Sequence, residues 1–170
     1  IAATFDAGSS SLQLLQNLTL QSSSELVFQS LDLNSRELTL ANETSDLSLK
    51  NQLILDEASE KIITGTADLK LEGGIQMSAG EITSTGGTLA LSETSPNLFQ
   101  NDAVLELLNT NLESAGSGDS ILTLDGEPNL SMNGGSITRI ILERTEGTVG
   151  TISTRAVSYT HLRAHETRRY

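Results

Sequence analysis

The chain has 170 residues, with 10 Lys and Arg against 22 Asp and Glu, and its formal net charge is −12. It contains no Cys, which excludes a disulfide framework, a thiolate metal site and a cysteine nucleophile. The acidic balance argues against nucleic-acid binding, because phosphate contacts need clustered Lys and Arg. The sequence contains no run of about 18 apolar residues, so it predicts no transmembrane helix.

Short apolar-x-apolar triplets recur from residue 12 to residue 91. Alternation with a period of two places both apolar residues of a triplet on one face of a strand, and the middle residue on the other. Ser, Asn, Asp, Glu and Gly separate the triplets, and these residues favour turns. The triplets are Leu18–Leu20, Leu26–Phe28, Leu31–Leu33, Leu38–Leu40, Leu47–Leu49, Leu53–Leu55, Leu69–Leu71, Ile75–Met77 and Leu89–Leu91.

The triplets recur in groups of three, with a degenerate period of about 20–24 residues. Position 18 is followed by 38 and 62, position 31 by 53, and position 75 by 98. Three strands and three turns per repeat predict an all-β fold, a right-handed parallel β-helix whose coils stack about 4.8 Å apart. A β-sandwich module is the alternative fold.

The pattern loosens after Ser92. Phe99, Val104, Leu105, Leu108 and Leu112 have helical spacing, so a short helix competes with continued strands over 93–120. The strand pattern resumes over 121–124, 130–132 and 137–142, and no domain boundary is visible.

The last residues differ sharply in composition from the rest. Both His, both Tyr and three of the seven Arg lie in 157–170, which reads VSYTHLRAHETRRY. This string resembles the translation of a transposon-based sequencing adaptor. We therefore predict a β-helix fragment over 1–156 and a non-native, disordered tail over 157–170. Residues 1–156 hold seven Lys and Arg against 21 Asp and Glu, so their net charge is −14. We also expect this fragment to be truncated at both ends, since Ile1 is not an initiator Met.

Strings such as Gly86–Ser92 (GGTLALS) and the LTL, LSL and LKL triplets carry a family resemblance over about residues 12–142. The texture resembles the repetitive passenger and adhesin regions of large bacterial surface proteins, namely the autotransporter, filamentous-haemagglutinin and pectin-lyase-like β-helix families. The resemblance implies an extracellular or cell-surface protein with a structural, adhesive or polysaccharide-processing role. A chain of metagenomic origin would explain the adaptor contamination.

Residues 1–156 contain no His, so only carboxylate or Lys/Arg chemistry is open to them. A glycosidase needs two convergent carboxylates, and calcium prefers oxygen ligands beside flexible Gly. Sugar platforms also use aromatic faces, and only Phe5, Phe28 and Phe99 precede the tail. The carboxylate candidates are Asp56, Glu57 and Glu60, and a second group of Asp119, Asp125 and Glu127 that is also the weak calcium candidate.

From these features we expect a structural or adhesive repeat segment with no catalytic residue and no cofactor. Its expected partners are host or surface glycans or proteins, and Ca²⁺ bound weakly by the acidic surface. Two alternatives stay open at this point. One is a non-catalytic part of a polysaccharide lyase or glycoside hydrolase β-helix, and the other is a calcium-dependent β-sandwich binding module.

Overall fold

A computed structural model describes residues 11–21, 24–41, 46–160 and 163–166, the last four by their backbone alone. Short strands follow one another along the whole of this part of the chain. They are β1 Ser11–Gln13, β2 Leu18–Leu20, β3 Leu26–Phe28, β4 Ser30–Asp32, β5 Glu37–Leu40, β6 Leu47–Leu49, β7 Leu53–Leu55, β8 Lys61–Gly65, β9 Leu69–Leu71, β10 Ile75–Met77, β11 Glu81–Ser84, β12 Thr88–Leu91, β13 Asn97–Gln100, β14 Val104–Leu108, β15 Asn111–Ser114, β16 Ser120–Asp125, β17 Asn129–Asn133, β18 Ser136–Thr138, β19 Ile140–Arg144, β20 Thr151–Arg155, β21 Ser158–Thr160 and β22 Arg163–Glu166.

Every third strand joins the same sheet, so the chain winds as a parallel β-solenoid of about seven turns. Sheet I has the order β2-β5-β8-β11-β14-β17-β20, and sheet II the order β21-β18-β15-β12-β9-β6-β3. Sheet III has the order β22-β19-β16-β13-β10-β7, and β1 pairs with β4 alone. The predicted β-helix is confirmed. The β-sandwich alternative is wrong, because every strand pairing within the described residues is parallel rather than hairpin-connected.

Aliphatic side chains stack on aliphatic side chains through the interior. Leu38 pairs with Leu18 on one side and with Ile62 on the other, as the triplet spacing predicted. All the inward Leu of β5, β6, β7 and β9 are at most 2% exposed. A solenoid interior of this kind accepts Leu in strands because each inward position faces the same position of the next coil, and side-chain packing decides strand preference.

Several corners need a left-handed backbone or a very close approach between coils. Gly135 has φ +77°, and a Cβ on it would lie 2.1 Å from the carbonyl oxygen of Thr110 in the coil below. Arg139 adopts φ 56° and divides the predicted 137–142 strand into β18 and β19. These two corners set the path of the chain where no triplet pattern could reveal it.

Residues 93–120 form strands and turns, so the helical alternative is wrong for this segment. In β14, Leu105 and Leu107 point inward and are at most 2% exposed, whereas Leu108 points outward and is 43% exposed. The apparent helical spacing arose because inward and outward residues of three successive strands were read as one periodic run.

One predicted register is wrong by a single residue. Ile75 pairs with Asn97 rather than with Leu98, so Leu98 points outward and Phe99 fills the interior at 2% exposure. Asn97 is 1% exposed, and its Nδ2 donates to the carbonyl oxygens of Ser92 (2.8 Å) and Ile121 (3.0 Å). A buried amide is accepted here because two backbone carbonyls satisfy its donors.

The last described residues continue the solenoid. Ser158–Thr160 pairs with β18 and Arg163–Glu166 with β19, both in parallel. The non-native origin and the disorder expected for the tail both stay predictions. The open edge of the preceding coil offers unpaired backbone groups, which a following segment can join whatever its origin. His161 and 167–170 lie outside the described residues.

Candidate functional site

The first predicted group of carboxylates caps a turn. Glu60 is 5% exposed, and its Oε2 accepts the backbone N–H groups of Asp56 (2.9 Å) and Glu57 (3.3 Å). Its Oε1 accepts the N–H of Ser35 from the preceding coil at 3.4 Å. Asp56 and Glu57 are exposed. The three residues are close together, but the buried carboxylate is occupied by backbone donors of its own fold.

The second group, including the calcium candidates, is not brought together. Asp119 precedes β16 and Asp125 ends it, so about 20 Å of extended strand separates them. Asp125 accepts hydrogen bonds from the Gln100 amide (3.0 Å) and the Thr145 hydroxyl. Glu127 is exposed, two residues beyond Asp125. Across the described ranges, no group of three or more His, Asp or Glu residues could hold a metal ion.

Sequence reasoning missed Glu93, which holds the glycine turn before β16. The backbone N–H of Gly118 donates to Glu93 Oε2 at 2.6 Å. A Cβ on Gly116 would lie 2.3 Å from the Glu93 Cδ, so the carboxyl group needs a bare glycine beneath it. Gly118 follows Glu93 by 25 residues, about one coil, and this separation was the available signal.

Charged side chains pair from coil to coil on the outer face of sheet II. Lys50 Nζ lies 2.6 Å from Glu72 Oε1, and Lys70 Nζ lies 3.4 Å from the same oxygen. The hydrogen bond from Lys50 is the largest cause that lowers the pKa of Glu72 below its ordinary value. Burial opposes it, and the Lys70 charge adds to the lowering. Sheet I carries a similar pair, in which a hydrogen bond from Lys61 lowers the pKa of Glu81.

Replacing Glu72 with Gln tests the contribution of this pair. We expect a loss of at most about 1 kcal/mol of unfolding free energy, because the groups are partly exposed and screened. The folded pKa of Glu72 lies below its unfolded pKa, so this contribution is present above the unfolded pKa and disappears as the pH falls through the folded one. Urea unfolding of both proteins at pH 7 and pH 3 measures it. A difference that persists at pH 3 contradicts the ionic explanation.

A shallow groove of about 390 Å³ runs along the outer face of sheet II. Carboxylates from successive coils line one side, and these are Glu25, Asp46 and Asp68. Lys70 and Glu113 also line it. One ammonium among four carboxylates suits a cationic or polyhydroxylated ligand, held by exposed hydrogen-bonding groups.

No aromatic side chain of the described residues lines the groove. Phe28 is 6% exposed and Phe99 is 2% exposed, and both belong to the interior. Phe28 ends the triplet Leu26–Phe28 and points inward with Leu26, and Phe5 lies outside the described residues. Sugar stacking on these two rings is therefore excluded, since their faces are covered by neighbouring coils.

The fold and these outward groups define a parallel β-solenoid with charged, coil-spanning side-chain pairs. Comparison of the chain with protein-family models, with curated proteins and with solved structures found no match. No helix in the described part of the chain is long and apolar enough to cross a membrane.

Proposed function

We propose that residues 1–156 are a structural and adhesive segment of a large secreted or cell-surface bacterial protein, and that they carry no catalytic residue. The observation that carries this proposal is that four carboxylates bond to groups of the solenoid itself. Glu60 and Glu93 cap turns, and Glu72 and Glu81 pair with Lys residues of their own or neighbouring coils. Carboxylates that are already hydrogen-bonded within the solenoid stiffen it and are not free to act on a substrate.

The geometry of stacking also supports a display role. Each coil adds about 4.8 Å of length, and the core of the described coils consists mainly of Leu and Ile side chains. Turns and outer faces can therefore vary while the support stays the same. A strongly acidic chain without Cys suits an extracellular setting, where solubility matters and no thiol chemistry is required.

The groove on sheet II favours one rival, a polysaccharide lyase or glycoside hydrolase to which this segment contributes a binding face. Lys70 lies among carboxylates there. It also lines a second, smaller depression of the surface, together with Glu72 and Glu93. A polysaccharide chain could lie along such a face, with hydroxyl groups bonded to the carboxylates.

A two-part assay of purified residues 1–156 tests both parts of the proposal, the absence of catalysis and the presence of binding. We expect the protein to leave polygalacturonate and neutral polysaccharides intact, as measured by the absorbance of unsaturated products and by reducing ends. We expect it to bind a subset of immobilised surface glycans or proteins. Depolymerisation that Glu113→Gln or Lys70→Ala abolishes, while both variants keep the wild-type melting temperature, would overturn the proposal in favour of the enzyme.

A further inference from the structure

The solenoid has a break between its first described coil and the next. The triplet spacing predicted that Leu31 stacks on Leu53, as in the other two files. Strand β4 nevertheless pairs only with β1, and β7 is an edge strand of sheet III. Within the described residues, no backbone hydrogen bond joins Ser30–Asp32 to Leu53–Leu55. We call this break between β4 and β7 the seam.

The other two sheets cross the same boundary without interruption. Strand β2 pairs with β5 in sheet I, and β3 pairs with β6 in sheet II. The backbone ladder of sheet II even extends past its strand, since Lys50 N donates to Phe28 O and Asn51 N to Gln29 O. The seam is therefore local to one of three faces. It begins just after residue 51 on one side and residue 29 on the other.

Strand alternation places specific backbone groups at the seam. Leu53 N donates to Gly74 O, and Leu55 O accepts from Ser78 N, so both residues face the following coil. The intervening Ile54 must aim its N–H and C=O the other way, towards β4. Its side chain is 50% exposed on the outer face. Every later strand of sheet III is hydrogen-bonded to the strand of the preceding coil, and β7 lacks this ladder at the seam.

Side chains replace the missing ladder at the corner after β4. Asn34 and Ser35 both have positive φ, 49° and 62°, an uncommon and strained pair for residues other than glycine. Ser35 donates its N–H to Glu60 Oε1 at 3.4 Å and its hydroxyl to Glu57 Oε2. We call these two bonds the clasp. The carboxylates of one turn in this way hold a strained corner of the preceding coil.

We propose that the segment 24–36 opens along the seam as a local unit, and that the clasp from Ser35 to Glu57 and Glu60 keeps it closed. Opening breaks the clasp, the backbone bond from Lys61 N to Arg36 O and one ladder, that of β3 with β6, whereas opening any later coil breaks three ladders. Local units of this kind open at lower free energy than the whole molecule. The opened state exposes the edge of β7, with its Ile54 backbone groups, to solvent.

Hydrogen exchange followed by mass spectrometry on the full chain tests this proposal. In the wild type we expect peptides from 24–36 and the Ile54 amide to exchange faster than those of β10, which is paired on both sides. Glu60→Gln should raise exchange of 24–36 by about tenfold, since a neutral amide forms weaker hydrogen bonds with the Ser35 corner than the carboxylate does. Exchange of β10 should stay unchanged.

Ser35→Ala supplies a second variant that removes only one hydroxyl bond of the clasp, and it serves if Glu60→Gln folds poorly. Glu113→Gln is the matched control, because it removes a carboxylate from the outer face of sheet II at a position four coils beyond Val27 of β3. Equal exchange of 24–36 in all four proteins overturns the proposal. An increase spread evenly over every coil also overturns it, because that result reports global rather than local opening.

Discussion

Replacing Leu105 with Ala is expected to lower the free energy of unfolding by about 2–5 kcal/mol. Leu105 is 0% exposed and stacks between Ile82 and Leu130 of the adjacent coils. Removing its side chain leaves a cavity whose walls belong to continuous sheets, and these can close only by shifting neighbouring coils. Denaturant unfolding followed by circular dichroism measures the change.

The control lies on the same strand. Leu108→Ala removes the same atoms from an outward position that is 43% exposed, and we expect a change within about 0.5 kcal/mol. The comparison therefore separates inward from outward positions with a single chemistry. Equal losses at the two positions would show that β14 does not alternate as the structure has it.

Gly135→Ala is expected to destabilise the fold severely, by about 3 kcal/mol or more. The new Cβ would lie 2.1 Å from the Thr110 carbonyl oxygen, so the two coils must separate at that corner. The backbone also has φ +77°. A residue with a Cβ in this left-handed conformation lowers the stability by about a further 1–2 kcal/mol. Thermal unfolding would show a melting temperature lowered by about 10 °C or more.

Gly147→Ala separates these two causes. Gly147 has a similar φ of +84°, but a Cβ on it would meet nothing within 4 Å. We expect only the backbone contribution there, about 1 kcal/mol. If Gly147→Ala is as damaging as Gly135→Ala, the close approach between coils is not what fixes the corner at 135.

The regular part of the fold was predictable because it follows from one local rule. Inward residues such as Leu38, Leu47 and Leu69 are aliphatic and recur at coil spacing, and turn residues separate them. A single-residue error at Leu98 shows the limit of that rule. The hydrophobic pattern predicted that Leu98 would point inward. Asn97 points inward instead, because backbone carbonyls accept its amide protons.

The candidate site was less predictable, because it depends on which turns lie next to one another. The sequence identified Glu60 as a carboxylate beside Asp56 and Glu57, yet its partner Ser35 is a full coil away. Asp119 and Asp125 looked like one oxygen-rich segment, and the intervening residues turned out to be a strand that separates them. Only the register between coils distinguishes a shared site from two unrelated turns.

Distances between outward residues that are stacked along sheet I test the central claim, a solenoid with one coil per repeat. Thr19, Thr39, Ile63, Thr83, Glu106, Ser131 and Ser153 are successive register partners on sheet I. The chain contains no Cys, so pairs of introduced cysteines can carry spin labels without background. Thr19 is the common position, paired in turn with Glu106, Ser131 and Ser153.

Double electron–electron resonance should give backbone separations of about 19, 24 and 29 Å for these three pairs, once the same correction for spin-label length is applied to each distance. The essential result is the equal step of about 5 Å for each added coil. Distances that do not increase along this order, or that fall between Ser131 and Ser153, would contradict the stacked parallel solenoid.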